Sequence, residues 1–184
     1  MRYAWSLVVL SAAGCASPGA SSSVGDAKTQ STVRVNQGGS TAAALTVTNQ
    51  PTTVTVVVPT LPARVWRELP AAYDSLGIPV TKLINEDMLI GNQNFKVRRS
   101  LAGVRLPKYL ECGGPASAPN AETYQVTMSI LTQLQKREDG GTLVSTLIDA
   151  SAQSVNFNNS SVACRSNGDL EKLVAKIVQA RLNQ

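Results

Sequence analysis

The side chains able to do chemistry in this sequence are carboxylates, cations and thiols; there is no histidine. Without imidazole the chain lacks the commonest general base, the usual triad base and the commonest metal ligand. Paired carboxylates remain, and two acids flanking a bond could hydrolyse a glycoside. The candidates are Glu86 with Asp87, Glu138 with Asp139, and Asp169 with Glu171. The first two pairs lie in turn-like sequence and the third at the start of a helix. Neighbours in a turn do not face each other across a substrate, so solvated acids are the expected reading. Asp149, in a strand, is expected to face solvent. The pairs Gly38-Gly39, Gly113-Gly114 and Gly140-Gly141 lack the Lys-Ser/Thr that a phosphate-cradling loop needs. No catalytic residue, metal site or cofactor is expected.

One charge pattern departs from an even scatter. Between Met88 and Leu110 the chain carries Lys96, Arg98, Arg99, Arg105 and Lys108 and no acid. Such a stretch suits a surface that meets anionic lipid, lipopolysaccharide phosphate or an acidic partner protein. The plainer reading is charge set on an exposed strand or loop to deter edge pairing. The whole-chain net charge of +5 is too small to argue for nucleic acid, and aromatic residues are only 4%, so bases would find little to stack on. No nucleic-acid partner is expected.

The first residues place the protein. Arg2 precedes an uncharged run from Ala4 to Ala13 that contains Leu7, Val8, Val9 and Leu10. Its length suits the apolar part of a signal peptide and falls short of the roughly 20 residues of a spanning helix. The run ends in Ala12-Ala13-Gly14-Cys15, small residues followed by a thiol.

That segment resembles the lipobox of bacterial lipoproteins, with Ala12 where the family most often has Leu. The resemblance implies cleavage before Cys15, acylation of Cys15 with diacylglyceryl and palmitate-type chains, and a mature protein that begins there. The other reading is an ordinary secretory signal cut after Ala13 or Ala16. With Cys15 lipidated, Cys112 and Cys164 are left as an even pair in an oxidising compartment and read as a disulfide; two separate buried thiols are the alternative. Once Arg2 is removed, sixteen Lys and Arg face twelve Asp and Glu.

The segments follow from composition. Residues 1–14 are the expected signal peptide, 15–40 a lipidated Ser/Gly/Ala-rich linker, and 41–184 one α+β domain. Thr32-Val33-Arg34-Val35 alternates weakly; Leu45–Thr48 and Thr53–Val58 are expected to form a hairpin across Asn49-Gln50-Pro51. Thr60 is the expected cap of a helix with Pro62 in its first turn. Val65, Leu69, Ala72, Tyr73 and Leu76 form its apolar face, and Gly77 and Pro79 its stop. Pro70 predicts a kink or a split. Ile78–Ile84 and Met88–Val97 read as strands, Gly91 as a bulge. Tyr109–Cys112 reads as a short strand and Gly113–Asn120 as a loop.

The firmest local pattern is a long antiparallel hairpin. Tyr124, Val126, Met128 and Ile130 alternate with polar residues, Glu138-Asp139-Gly140-Gly141 is the turn, and Val144 to Ala152 alternates again. Asn156–Ser161 is a polar loop. A closing amphipathic helix, capped by Ser166 or Asn167, sets Leu170, Leu173, Val174, Ile177 and Val178 on one face. Glu171, Lys172, Lys176 and Gln179 are expected on the other.

This order predicts an antiparallel sheet with two amphipathic helices packed on one face. From Val65-Trp66-x-x-Leu69 through Leu76-Gly77-Ile78, a strand pair and the last helix, the arrangement resembles the helix-grip domains of the lipoprotein subunit (BamC) of the outer-membrane β-barrel assembly machinery. The resemblance is one of arrangement and implies no assembly function; the expected location, from the Cys15 segment, is the periplasmic face of the outer membrane, and the expected partner an envelope protein or anionic envelope component. The expected function is a non-enzymatic binding or adaptor domain tethered by Cys15. The alternative is a carrier or sensor of a small apolar ligand held between the sheet and the last helix, beside Val174 and Ile177.

Overall fold

The computed structural model describes residues 31–37, 40–47, 52–155 and 161–184. The expected signal peptide, Cys15, the linker as far as Gln30, the Asn49–Pro51 turn and most of the Asn156–Ser161 loop lie outside these residues, whereas residues 31–37 and 40 of the expected linker are described.

Strands β1 (Ser31–Gln37) and β2 (Ser40–Val47) pair antiparallel, with Val33 opposite Leu45. Leu45 therefore does not form the expected hairpin with the next strand. β3 (Thr52–Val58) instead joins the strand β10 (Thr142–Gln153), Val58 opposite Thr142 and Thr52 opposite Ile148. The reason is facial matching. Val54, Val56 and Val58 are half-buried to buried on one side of β3, and β10 offers seven consecutive partners to a β-branched strand.

Helix α1 (Pro62–Ser75) buries the expected face: Val65, Leu69, Ala72 and Tyr73 are 0% exposed. Leu61, not Thr60, holds the cap position, with no side-chain cap; Pro62 starts the helix where its missing N–H costs nothing. Pro70 does not divide the helix. It lies on the exposed side, where water can satisfy the carbonyl it leaves free. The stop falls at Gly77, whose φ of +70° suits glycine. Ile78 N–H returns to Tyr73 O and Gly77 N–H to Asp74 O, the paired bonds of a glycine-terminated helix.

The strand expected over Ile78–Ile84 shrinks to β4 (Lys82–Ile84) because Pro79 has no N–H for a ladder. The Pro79 carbonyl accepts from Asn92 Nδ2 instead, at 2.7 Å. β5 (Leu89–Val97) carries its irregularity between Asn92 and Phe95, not at Gly91. Gly91 has another role. A Cβ there would collide with Ile130 O and lie 2.9 Å from Leu131 Cα, so a bare backbone is what lets β5 lie against its neighbour.

β6 (Ser100–Leu101) and β7 (Val104–Arg105) make a small hairpin, followed by a 3-10 turn over Leu106–Lys108 and β8 (Leu110–Glu111). A short helix, α2 (Asn120–Thr123), closes the loop that starts at Gly113. The long hairpin is β9 (Gln125–Lys136) and β10, in register from Gln125–Gln153 to Lys136–Thr142. β11 (Ser161–Ser166) was not expected as a strand; Cys164 lies opposite Ala150. Among the described residues, the large sheet runs β4-β5-β9-β10-β11-β8. β3 shares the free side of β10 with β11, β3 taking Thr142–Ile148 and β11 taking Ala150–Gln153.

Helix α3 (Asp169–Leu182) packs against α1, β3 and β10, on the same face of the sheet as α1. Gly168, at φ +86°, takes the cap position in place of Ser166 or Asn167. Asn167 Oδ1 still accepts Asp169 N–H at 3.0 Å. Leu170, Val174 and Val178 are fully buried, while Leu173 and Ile177 are half-buried. Glu171 is a correction. It was expected outside and is 1% exposed, because a helix wedged against both the sheet and α1 buries more than one narrow stripe. Burial raises its pKa above the ordinary carboxylate value, an effect the nearby Ser166 hydroxyl offsets in part. The whole is the expected α+β sandwich of an antiparallel sheet and two packed helices.

Candidate functional site: a basic cleft beside the disulfide

Three of the five cations in the acid-free stretch converge. Arg98, Arg99 and Arg105 line one cleft of about 580 Å³ with Ser117, Ala118, Glu122 and Thr123. The local backbone explains how. β5 ends at Val97, and Arg98-Arg99 turn the chain into β6, with Ser100 N–H on Arg98 O at 2.8 Å. Arg99 takes φ +66°, and Ala102 and Gly103 take +51° and +77°. The last two make the tight β6–β7 turn, which sets Arg105 opposite Ser100. Leu106 N–H on Arg99 O, 2.8 Å, closes the base.

This excursion is anchored from below. Leu101 is 4% exposed, and Leu106 and Ala121 are fully buried. The far wall comes from the loop after Cys112. Cys112 is bonded to Cys164 across 52 residues, which ties the start of that loop to β11. Asn120 Nδ2 donates to Cys112 O at 3.1 Å, and Asn120 N–H donates to Gly113 O. Ala118 N–H on Pro115 O turns the loop back towards α2. α2 then presents Glu122, which forms an ion pair with Arg105.

The electrostatics are uneven. Arg105 is held by Glu122, whereas Arg98 and Arg99 have no carboxylate partner among the described residues. Three positive charges face one negative charge in the cleft. Lys96 and Lys108 do not join it. Lys96 is exposed on β5 opposite Thr127. Lys108 Nζ lies 3.8 Å from Asp169, which also meets Lys172 at 3.7 Å. The sequence singled out the arginines by charge alone. Ser117, Thr123 and Glu122 carry no signal of their own, because a loop and a turn of helix bring them there.

A second cleft, of about 390 Å³, lies where the start of α1 meets the β4–β5 turn. Leu61, Pro62, Ala63, Met88 and Leu134 line it, with Glu86, Asp87 and Lys136 also present. Neither cleft is lined by Val174 or Ile177, and Val174 is 0% exposed.

Each acid pair lies on its own element, Glu138 and Asp139 in the β9–β10 turn and Asp169 and Glu171 at the start of α3. Glu86 and Asp87 occupy the β4–β5 turn. Asp139 accepts Gly141 N–H at 3.0 Å and pairs with Arg137, which together hold its carboxyl below the usual range. Among the described residues, no group of three or more His, Cys, Asp or Glu side chains comes together, and no helix is long and apolar enough to cross a membrane.

No protein-family model matches the chain, and no curated protein is similar to it in sequence.

Proposed function

We propose that the protein is a non-enzymatic envelope lipoprotein whose folded part is a binding or adaptor domain, tethered to the membrane by acylated Cys15. The observation that carries the reading is Leu10-Ser11-Ala12-Ala13-Gly14-Cys15 at the end of a short apolar run. The Cys112–Cys164 disulfide supports it, because such bonds persist in oxidising compartments outside the cytoplasm. The periplasmic face of the outer membrane is the location this reading favours, with an envelope protein or anionic envelope component as partner. The basic cleft supports the anionic part.

Radiolabelled palmitate and membrane fractionation test the anchor. The wild-type chain incorporates label and sediments with membranes; Cys15→Ser does neither. A Cys15→Ser protein that still carries label overturns the reading. Crosslinking in intact cells then identifies what the domain meets.

A further inference from the structure

We propose that the Arg98/Arg99/Arg105 cleft is a binding site for a phosphomonoester group. The inference rests on the reading of the domain as a binding module and names its ligand class.

Charge comes first. Three guanidinium groups against the Glu122 carboxylate leave a net +2 in the cleft, which matches a dianion. A phosphomonoester carries nearly two negative charges near neutral pH, its second pKa being about 6. A phosphodiester carries one and would leave a cation uncompensated.

Geometry comes second. Glu122 fixes Arg105 through an ion pair, so one guanidinium is oriented before any ligand arrives. Less side-chain freedom is then lost on binding. Arg98 and Arg99 keep their donors free of carboxylates among the described residues. A guanidinium presents paired N–H groups in a fork that fits two oxygens of one phosphate, which an ammonium cannot do. The Ser117 hydroxyl adds a donor on the opposite wall, while that of Thr123 donates to Pro119 O at 3.2 Å.

Shape comes third. The cations line a concavity rather than a convex face. Charges spread on an exposed strand to deter pairing would have no need of a facing wall. Here the wall is held in place by a disulfide and by the Asn120 hydrogen bonds at Cys112 and Gly113. A concave site also excludes part of the solvent and strengthens each ionic contact.

The group could belong to a soluble phosphate ester or to a lipid headgroup, and the test separates them. The chain carrying Cys15→Ser is used, so that no acyl anchor contributes. Glycerol 3-phosphate is titrated by calorimetry. Cosedimentation then compares phosphatidylcholine vesicles containing phosphatidic acid, a monoester, with vesicles of equal charge containing phosphatidylglycerol, a diester.

Binding of glycerol 3-phosphate supports a soluble source, and binding to phosphatidic acid vesicles alone supports a lipid source. In either case Arg98→Gln with Arg99→Gln weakens binding at least tenfold, with an unchanged melting temperature. Equal binding to both vesicle types, binding indifferent to the arginine substitutions, or no binding to any probe overturns the proposal. None of these outcomes bears on palmitate labelling at Cys15, so the site and the anchor fail separately.

Discussion

The phenolic oxygen of Tyr73, on α1, lies 2.9 Å from Thr132 Oγ1 on β9, and Thr132 Oγ1 lies 2.9 Å from Thr146 Oγ1 on β10. All three side chains are at most 1% exposed. A polar string therefore crosses an otherwise apolar interface. Buried hydroxyls cost stability unless partnered; these partner one another and fix how far along the sheet α1 sits.

Removing the Tyr73 hydroxyl shortens the string without orphaning it, since Thr132 keeps Thr146. Tyr73→Phe is expected to cost about 1 kcal/mol, read as a lower urea midpoint with an unchanged slope. Burial holds the Tyr73 proton well above the usual tyrosine range, the Thr132 bond offsetting this only in part. A raised folded pKa means stability is intact below the unfolded tyrosine value of about 10 and declines above it. Tyr73→Phe is thus expected to resist alkaline unfolding better than it resists urea, relative to wild type.

Glu171 gives the opposite handle on pH. Its folded pKa is raised by burial, so the carboxyl is harmless while protonated and destabilising once ionised. The stability it withholds is absent below the unfolded value of about 4.3 and grows as pH rises through the folded value. Glu171→Gln is expected to stabilise the protein near pH 7 by about 1 kcal/mol and to change nothing near pH 3. Thermal melts across that range check it.

The Cys112–Cys164 bond closes a loop 52 residues apart in sequence. Chain entropy predicts a loss of about 4 kcal/mol for the double Cys→Ser variant, measured by denaturant unfolding under non-reducing conditions. Because Cys112 starts the loop carrying Ser117, amide hydrogen exchange over residues 113–119 is expected to rise more than over β9.

Gly91 is tested by adding one carbon. Gly91→Ala is expected to cost 2 kcal/mol or more, about the upper part of the usual range, since the added Cβ meets backbone of β9 rather than a side chain that can swing away. Gly103→Ala, with nothing within 4 Å of its Cβ, isolates the effect of positive φ alone.

Local pattern carried part of this fold and long-range pairing the rest. The face of α1, its glycine stop and the β9–β10 register follow from periodicity and turn chemistry. β11 was missed because Val162, Ala163 and Cys164 run consecutively in Ser161–Ser166 without a strand's alternation, and its pairing to β10 is decided by what the sheet leaves vacant. The β3 partner was misread for a related reason. A near neighbour in sequence seemed the natural mate, yet the wide matching edge lay ninety residues onward at Ser145, whose Oγ is 2.9 Å from Thr55 Oγ1. Glu171 looked solvated because helical periodicity assumes one covered face, and α3 is covered on two. In the cleft, charge was visible in sequence and concavity was not.

The divided edge of β10 has a mechanical consequence. A pull applied to the chain ahead of Thr52 enters the large sheet there and loads the seven rungs between β3 and β10. The disulfide encloses residues 112–164 and leaves β3 and α1 outside its loop. Under tension the first parts to yield are then β3 and α1, while α2, β9, β10 and β11 up to Cys164 stay within a covalent ring. An optical-trap trace would show one early release, and a remaining body that extends by less than its contour length until reductant is added.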